Sequence, residues 1–282
     1  MHQGSLFIAC STVGVAGVVA LVGFGRGPAV AAPAEPVPAP SPSPAAQEKY
    51  GTIKGRLVWK GEELPKPEVL VSKGDPKAKD PEICAKEPIV SRALVVDPKT
   101  KGVRNGFVYL INVKGTNPEA LKAVTDKAGP VEIDQKNCEF LPHAVAIYKG
   151  QKLVFKSSDP VNHNVHLNGF NNQLNQAVTS GGKLEIPKPV AERLPMKVSC
   201  DIHSWMSCWV GIFDNPFFAL TKEDGTFEIK GVPAGAQRIV IWQERTALLS
   251  KGTARTGQPI TVEAGKTTDL GDIVITPDKL KK

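Results

Sequence analysis

The sequence predicts an all-β protein, and the distribution of turn residues together with short apolar runs carries this prediction. The 282 residues include 26 Gly and 24 Pro spread along the chain, and both residue types interrupt helices and fit turn geometry. From Tyr50 onward, β-branched and aromatic runs alternate with turn residues at a spacing typical of β-sandwiches. The length is compatible with one to three domains.

Successive strand-like runs can be placed along the chain. Strands are predicted at 52–59, 93–96, 107–110, 144–148, 152–156, 196–200 and 209–213. After Pro216, the pair Asp224-Gly225 predicts a hairpin over 220–229, with Phe227 and Ile229 pointing into a core. Further strands are predicted at 238–242, 260–262 and 272–275. Helices are predicted only at 118–128 and 190–194.

The N-terminus predicts export. Leu6 to Phe24 is an almost uninterrupted apolar run, and Ala29-Val30-Ala31 resembles a signal-peptidase site. The run is also about 20 residues long, which is enough to remain as a membrane anchor, so residues 1–31 are either a cleaved signal or a retained tether. Residues 32–49 are rich in Pro and Ala and predict an extended linker. Both alternatives place the mature chain in the periplasm or another extracytoplasmic space.

The charge of the chain argues against a nucleic-acid partner. The net charge is +7 and the isoelectric point is near 9.1, but no dense Lys/Arg block or RNA-binding aromatic motif is present. A mild positive balance favours acidic partners, anionic lipid or an envelope polysaccharide.

Two segments contain the residue types of a copper site. His163 lies in the first, and the second reads Cys200-x-x-His203-x-x-Met206. A blue-copper site needs two neutral imidazoles, one thiolate and a weak axial thioether. The second segment places three such donors on one tight loop after a strand, and His163 supplies the fourth from a separate loop. We therefore predict one copper ion per chain, held by these four side chains.

Other chemistries fit this donor set less well. Zinc is disfavoured because a thioether is a poor zinc ligand. A multicopper oxidase needs His-x-His pairs, and the five histidines form none. A Cys-His hydrolase would need Cys200 and His203 in contact, with an orienting third group and an oxyanion hole that the sequence does not indicate. The chain is therefore predicted not to be an enzyme.

On these motifs, residues 130–214 resemble the cupredoxins, and are most similar to the amicyanin and plastocyanin type. The C-x-x-H-x-x-M spacing is similar to that of amicyanin. The sequence also resembles planctomycete envelope proteins described as methylamine-utilisation-like, in which this motif precedes a segment like Asn215-Pro216-Phe217-Phe218. The resemblance implies a Greek-key β-sandwich, electron transfer, and ligation by His163, Cys200, His203 and Met206. It also implies that Asn164 ties the two ligand loops together and tunes the thiolate.

The remaining histidines and cysteines have alternative roles. His166 is the alternative ligand, although it should face away from His163 because side chains alternate along a strand. His143 is expected to be structural or at the surface. Cys84 and Cys138 are predicted to form a disulfide, which an oxidising compartment allows. Cys208 has no predicted role, and a disulfide between Cys208 and Cys200 would abolish the copper thiolate.

The regions that flank the copper segment are also predicted to be β. Residues 216–282 resemble the carboxypeptidase-regulatory-like and rhamnogalacturonan-lyase accessory β-domains, which implies a small structural β-sandwich or a carbohydrate-binding module. The predicted organisation is an N-terminal β-region at 50–129, a copper domain at 130–215 and this module at 216–282. The predicted function is single-electron transfer between envelope redox proteins, with a c-type cytochrome or a dehydrogenase as partner. The alternative is a non-catalytic envelope or carbohydrate-binding protein with a vestigial or copper-storing site.

Overall fold

The computed structural model describes residues 49–126 and 129–281, and these residues confirm the all-β class. Residues 1–31 and all of the predicted linker except Lys49 lie outside the described residues. The helices are α1 (Pro81–Cys84) and α2 (Pro118–Thr125), with a 3-10 turn at Pro277–Lys279. No helix in the described ranges is long and apolar enough to cross a membrane.

Strands provide nearly all of the regular structure. They are β1 (Tyr50–Trp59), β2 (Val69–Val71), β3 (Ile89–Val90), β4 (Phe107–Leu110), β5 (Val131–Lys136), β6 (Glu139–Leu141), β7 (Ala144–Tyr148), β8 (Leu153–Ser157), β9 (His163–Asn168), β10 (Gln173–Val178), β11 (Lys183–Ile186), β12 (Met196–Ser199), β13 (Ser207–Phe213), β14 (Phe218–Leu220), β15 (Thr226–Pro233), β16 (Gly235–Gln243), β17 (Ala247–Leu248), β18 (Gln258–Val262) and β19 (Thr267–Ile275).

The predicted copper segment folds into a β-sandwich of its own. One sheet has the strand order β10-β9-β12-β13-β7 and the other has the order β11-β8-β5-β6. Apolar side chains from both sheets, among them Phe155, Val165 and Ile212, are fully buried in a shared core. Burying side chains of this size stabilises the fold by about 1.5–3 kcal/mol each, which makes this core a firm support for the loops at its edge.

A second sandwich combines strands from both ends of the described chain. β1 pairs antiparallel with β15 and parallel with β19, and the opposing sheet has the order β14-β4-β16-β17, with β18 also paired to β16. Phe227 and Ile229 are buried in its core, as predicted. Residues 50–129 and 216–282 therefore share these two sheets. The domain boundaries at 129/130 and 215/216 remain predictions from the sequence. The resemblance of residues 216–282 to accessory β-domains is likewise a prediction.

An aromatic cluster joins the two sandwiches. Trp209 in β13 packs against Trp242 in β16 with ring centroids 4.6 Å apart, and Tyr109 in β4 packs against Phe213 in β13 at 4.4 Å. Aromatic pairs at these separations are worth about 0.5–1.5 kcal/mol beyond the apolar area they bury. The same strand, β13, begins immediately after the Cys200–Met206 loop.

Two predicted elements are wrong. Residues 93–96 form only one isolated bridge, between Val96 and Val103, and the carbonyl of Ala93 accepts a hydrogen bond from the Gln243 side chain at 2.6 Å. Residues 190–194 contain no helix. Prolines lie on both sides of that segment, and Glu192 turns inward to accept hydrogen bonds from the backbone N–H groups of residues 171 and 172.

The predicted hairpin over 220–229 is also wrong, although its turn is present. Asp224 Oδ1 accepts from the Thr226 N–H at 3.0 Å, and Gly225 has a φ of 81°, which glycine adopts at little cost. The strands on the two sides of the turn do not pair with each other, because β14 pairs with β4 and β15 pairs with β1. The Gly225 carbonyl in the turn instead accepts a hydrogen bond from the Leu57 N–H of β1 at 2.9 Å. The chain therefore passes at this turn from one sheet to the other.

One further segment, residues 72–88 between β2 and β3, is fastened to the copper-segment sandwich. It contains α1, whose Cys84 forms a disulfide with Cys138, as predicted. Val71, Cys84 and Ile89 are buried in the core of that sandwich. We call residues 72–88 the cover segment, because it brings Asp80 onto the site described below.

Candidate metal centre

Strand register brings the two predicted ligand segments together. β9 pairs antiparallel with β12, with His166 opposite Ser199, so the start of β9 lies beside the loop that follows β12. That loop, 200–206, closes between paired strands: the Cys200 N–H donates to the Met206 carbonyl at 3.2 Å, and the Met206 N–H donates to the His203 carbonyl at 2.9 Å. The loop is therefore short and braced at its base.

Three of the four predicted ligands converge in a buried cluster. His163 Nδ1 lies 3.0 Å from His203 Nδ1, and Cys200 Sγ lies 3.9 Å from the same His203 atom. All three donor atoms are within 4.8 Å of one another. Both histidines are 0% exposed and Cys200 is 2% exposed. This spacing allows one small cation to contact all three atoms.

Each histidine is held from behind by a carboxylate. Asp159 Oδ2 lies 2.9 Å from His163 Nε2, and Asp80 Oδ2 lies 2.9 Å from His203 Nε2. An ionised carboxylate can only accept a hydrogen bond, so each Nε2 carries the hydrogen. In a neutral imidazole the other nitrogen, Nδ1, then presents a lone pair to the centre of the cluster. Hydrogen bonds of this kind fix the tautomer and the orientation of metal-binding histidines.

Asn164 connects the two ligand segments through its side chain and its backbone. Its Oδ1 accepts from the Asp201 N–H at 2.7 Å and from the Ile202 N–H at 3.3 Å, and its own N–H points to Cys200 Sγ at 3.5 Å. The His203 N–H also points to this sulfur, at 3.4 Å. Two backbone donors directed at one sulfur favour its thiolate form. Asn164 therefore connects the two ligand segments, and its tuning of the thiolate stays a prediction.

The electrostatics of the cluster favour a thiolate beside a cation. Burial raises the pKa of Cys200, but hydrogen bonds from His163, His203 and the two backbone N–H groups outweigh it and bring the pKa down to about 6. Burial lowers the pKa of His163, but hydrogen bonds with Asp159 and Cys200 outweigh it and raise the pKa to about 9. Burial raises the pKa of Asp159 as well, yet its bonds to His163 and to the N–H groups of Cys138 and Asn137 leave it below the usual value.

Trp205 packs against the cluster, and Met206 is buried at the end of the ligand loop. Met206 ends the ligand loop and is 1% exposed, in the same apolar core as Cys200. Trp205 meets the His203 ring edge-on, with centroids 5.3 Å apart, and its Nε1 donates to the Cys138 carbonyl at 3.1 Å. The donors of the loop are therefore buried from water.

The alternative residues lie outside the cluster. His166 points away from His163, and its partly exposed ring contacts Asp201 Oδ1 at 3.0 Å. His143 contacts Glu244 Oε2 at 2.7 Å, across the junction between the two sandwiches. Cys208 is buried in β13 opposite Val198, where burial raises its pKa, and neither Cys208 nor Cys200 is in a disulfide.

Two carboxylates at the site are not predicted from the sequence. Asp159 precedes His163 by four positions, and this local spacing was a usable signal. Asp80 gave no signal, because it lies far away in sequence and reaches the site through the fold and the Cys84–Cys138 disulfide. Neither carboxylate could be distinguished by composition from the surface acids of the chain.

The donor set fits copper. Two imidazole nitrogens and one thiolate-prone sulfur converge, and a buried thioether belongs to the same loop. Soft sulfur with imidazole is the combination that suits copper, whereas magnesium and calcium prefer oxygen donors. His163, His203 and Cys200 would hold the ion.

No protein-family model matches the sequence, and no curated protein matches it. Among solved structures, the chain is similar to amicyanin from Paracoccus versutus, with 16% identity over 38% of this chain and 97% of that chain and a TM-score of 0.27. It is similar to a purple cupredoxin from Nitrosopumilus maritimus, with 19% identity over 30% and 99% and a TM-score of 0.26. A copper-containing nitrite reductase from Thermus scotoductus gives 15% identity over 36% and 24% and a TM-score of 0.27. TM-scores of this size say nothing about the site. The assignment of the site is based on its own geometry.

The thiolate assignment predicts an unusual titration in the metal-free protein. Absorbance of the thiolate in the ultraviolet should rise with a midpoint near pH 6 and should disappear in Cys200→Ser. Cys208→Ser should keep the transition, because burial raises the pKa of that thiol and it stays protonated through neutral pH. A midpoint at or above the ordinary thiol value of 9.0 would contradict the described hydrogen bonding.

Proposed function

We propose that this chain is an exported type 1 (blue) copper protein that transfers single electrons and performs no catalysis of its own. One observation carries the proposal: His163 Nδ1 and His203 Nδ1 are 3.0 Å apart while both Nε2 atoms are bound to carboxylates. Because the carboxylates hold the Nε2 hydrogens, both Nδ1 atoms face the centre, where they can share a proton in the metal-free protein, in line with the His163 pKa of about 9, or bind one metal ion. Such an arrangement repels unless a proton or a metal ion lies between the nitrogens, and the nearby Cys200 thiolate adds further demand for a cation.

The remaining donors select copper among metal ions. Copper would supply a one-electron Cu(II)/Cu(I) couple at this position. Cys200, His163 and His203 would provide the strong bonds, and Met206 would be the weak axial donor. Because the carboxylates and the braced loop hold these side chains in place, the protein would rearrange little when the electron arrives or leaves. The thioether and the thiolate-prone sulfur also disfavour magnesium and calcium, and the thioether disfavours zinc.

The charge of the chain bears on its partners. With a net charge of +7, the protein should associate most readily with acidic partners, because complementary charge accelerates encounter. We propose a one-electron carrier or a dehydrogenase of the cell envelope, such as a c-type cytochrome, on each side of the transfer. No bond forms or breaks in either step, so the only product is the reduced or oxidised partner.

The proposed location rests on the N-terminal sequence and is compatible with the disulfide. An apolar run followed by an Ala-x-Ala site predicts export, and Cys84–Cys138 is a bond that oxidising compartments preserve. Cell fractionation combined with thiol alkylation should find the protein in the periplasmic or membrane fraction, with Cys84 and Cys138 protected from the reagent. Recovery in the cytoplasm with Met1 intact and four reactive thiols beyond Cys10 would overturn the location.

The copper site should be visible as an intense colour. Adding one equivalent of Cu(II) should produce strong visible absorption from charge transfer out of the Cys200 thiolate. Cys200→Ser should abolish the colour while far-ultraviolet circular dichroism stays β-like, because the sulfur is removed and the sandwich core is kept. Cys208→Ser is the matched control, since that thiol is equally buried and lies outside the donor cluster. Equal colour in Cys200→Ser, or colour loss in Cys208→Ser alone, would sink the assignment.

Met206 should set the reduction potential. A thioether favours Cu(I) and a harder amide oxygen favours Cu(II), so Met206→Gln should lower the potential. Met206→Leu removes the donor with a similar volume and should raise it. Both variants should retain copper, because the other three ligands provide the strong bonds. Voltammetry of the three proteins measures this directly, and an unchanged potential in both variants would make Met206 a core residue only.

A further inference from the structure

Asp80 reaches the metal centre from outside the sandwich sheets that supply the other residues. It lies in the cover segment, immediately before α1, with φ 53° and ψ 56° in the left-handed region. The disulfide from Cys84 in α1 to Cys138 fastens this segment beside the site. The backbone conformation and the covalent tie together fix where the Asp80 carboxylate points.

The Asp80 side chain is directed to His203 and away from the helix it precedes. An aspartate before the first turn usually accepts a hydrogen bond from a helix N–H. Here the side chain caps no N–H of α1, and its Oδ2 lies 2.9 Å from His203 Nε2 instead. The Asp80 side chain therefore does not act as the N-cap of α1.

The contact adds to the burial of His203. The Trp205 ring lies edge-on to this imidazole, the His163 ring lies 4.7 Å away on the metal side, and the imidazole is 0% exposed. The Asp80 side chain itself is 32% exposed. Its carboxylate lies on the nitrogen of His203 that is opposite the metal position.

We propose that Asp80 is a positioning residue that lowers the reduction potential of the copper centre by acting through His203. Its carboxylate holds the Nε2 hydrogen, aims Nδ1 at the metal position and makes that nitrogen a stronger donor. Asp159 does the same for His163, so both imidazoles are strengthened. Stronger donors and added negative charge favour Cu(II) over Cu(I). The inference rests on the proposed copper function and adds to it what sets the potential.

Asp80→Asn tests the charge with little disturbance of the backbone. Asn adopts the left-handed conformation as readily as Asp, and its Oδ1 can still accept the Nε2 hydrogen. Mutation of an outer partner of a metal-binding histidine typically costs 10–100-fold in affinity. We expect about a tenfold loss of Cu(II) affinity with Cu(I) affinity nearly unchanged, which corresponds to a potential about 59 mV higher.

Asp75→Asn is the matched control. It removes the same charge from the same cover segment, where the Asp75 side chain caps the Lys77 N–H and does not contact the centre. The potential should stay at the wild-type value in Asp75→Asn and should rise further in Asp80→Ala, which removes the acceptor as well. A potential that is unchanged in Asp80→Asn, or shifts equally in Asp75→Asn, overturns the proposal.

A measurement on the metal-free protein separates this inference from the copper proposal. Nitrogen NMR of His203 should show the hydrogen on Nε2 in the wild type, and broadening or loss of that signal in Asp80→Ala. This result is expected whether or not copper binds, since it depends only on the Asp80 contact. A wild-type His203 with its hydrogen on Nδ1 alone would overturn the positioning role. Failure of the wild type to bind copper would overturn the proposed function and the potential-setting role.

Discussion

The candidate site depends on one short contact: His163 Nδ1 and His203 Nδ1 face each other at 3.0 Å. A carboxylate holds the opposite nitrogen of each ring. Facing imidazole nitrogens in a buried site need a proton or a metal ion between them, and the Cys200 thiol, whose pKa is lowered to about 6, places negative charge beside them. The fold holds this arrangement through one carboxylate hydrogen bond behind each ring. The site is therefore organised for a cation before one binds, which is the property expected of a metal centre with a fixed geometry.

The surrounding sandwich explains how such a cluster is maintained. The pairing of β9 with β12 fixes the distance between the two ligand segments, and Asn164 adds side-chain hydrogen bonds across them. The aromatic junction at Trp209 and Trp242 extends from β13 into the second sandwich, so the strand that ends the ligand loop is packed along its length. The Cys84–Cys138 disulfide adds a covalent tie on the remaining side. Rigidity of the donors thus comes from elements that are distant in sequence.

Sequence patterns predicted what depends on local chemistry and missed what depends on tertiary contacts. β4 and β7 have the predicted bounds because β-branched and aromatic runs between turn residues specify buried strands locally. The short Cys200–Met206 loop is equally local. Asp80 was missed because its role exists only after the cover segment folds over His203. The Asp224-Gly225 turn was predicted, but its flanking strands belong to different sheets. The Gly225 carbonyl bonds to Leu57 of β1, and β14 pairs with β4 while β15 pairs with β1.

X-ray absorption at the copper edge, measured on protein loaded with one equivalent of copper, tests the central claim most directly. The account predicts one short copper–sulfur distance from Cys200 and two copper–nitrogen distances from His163 and His203, with little change between the oxidised and reduced samples. A copper ion surrounded only by nitrogen and oxygen would contradict it, because the metal would then lie outside the cluster that the fold builds.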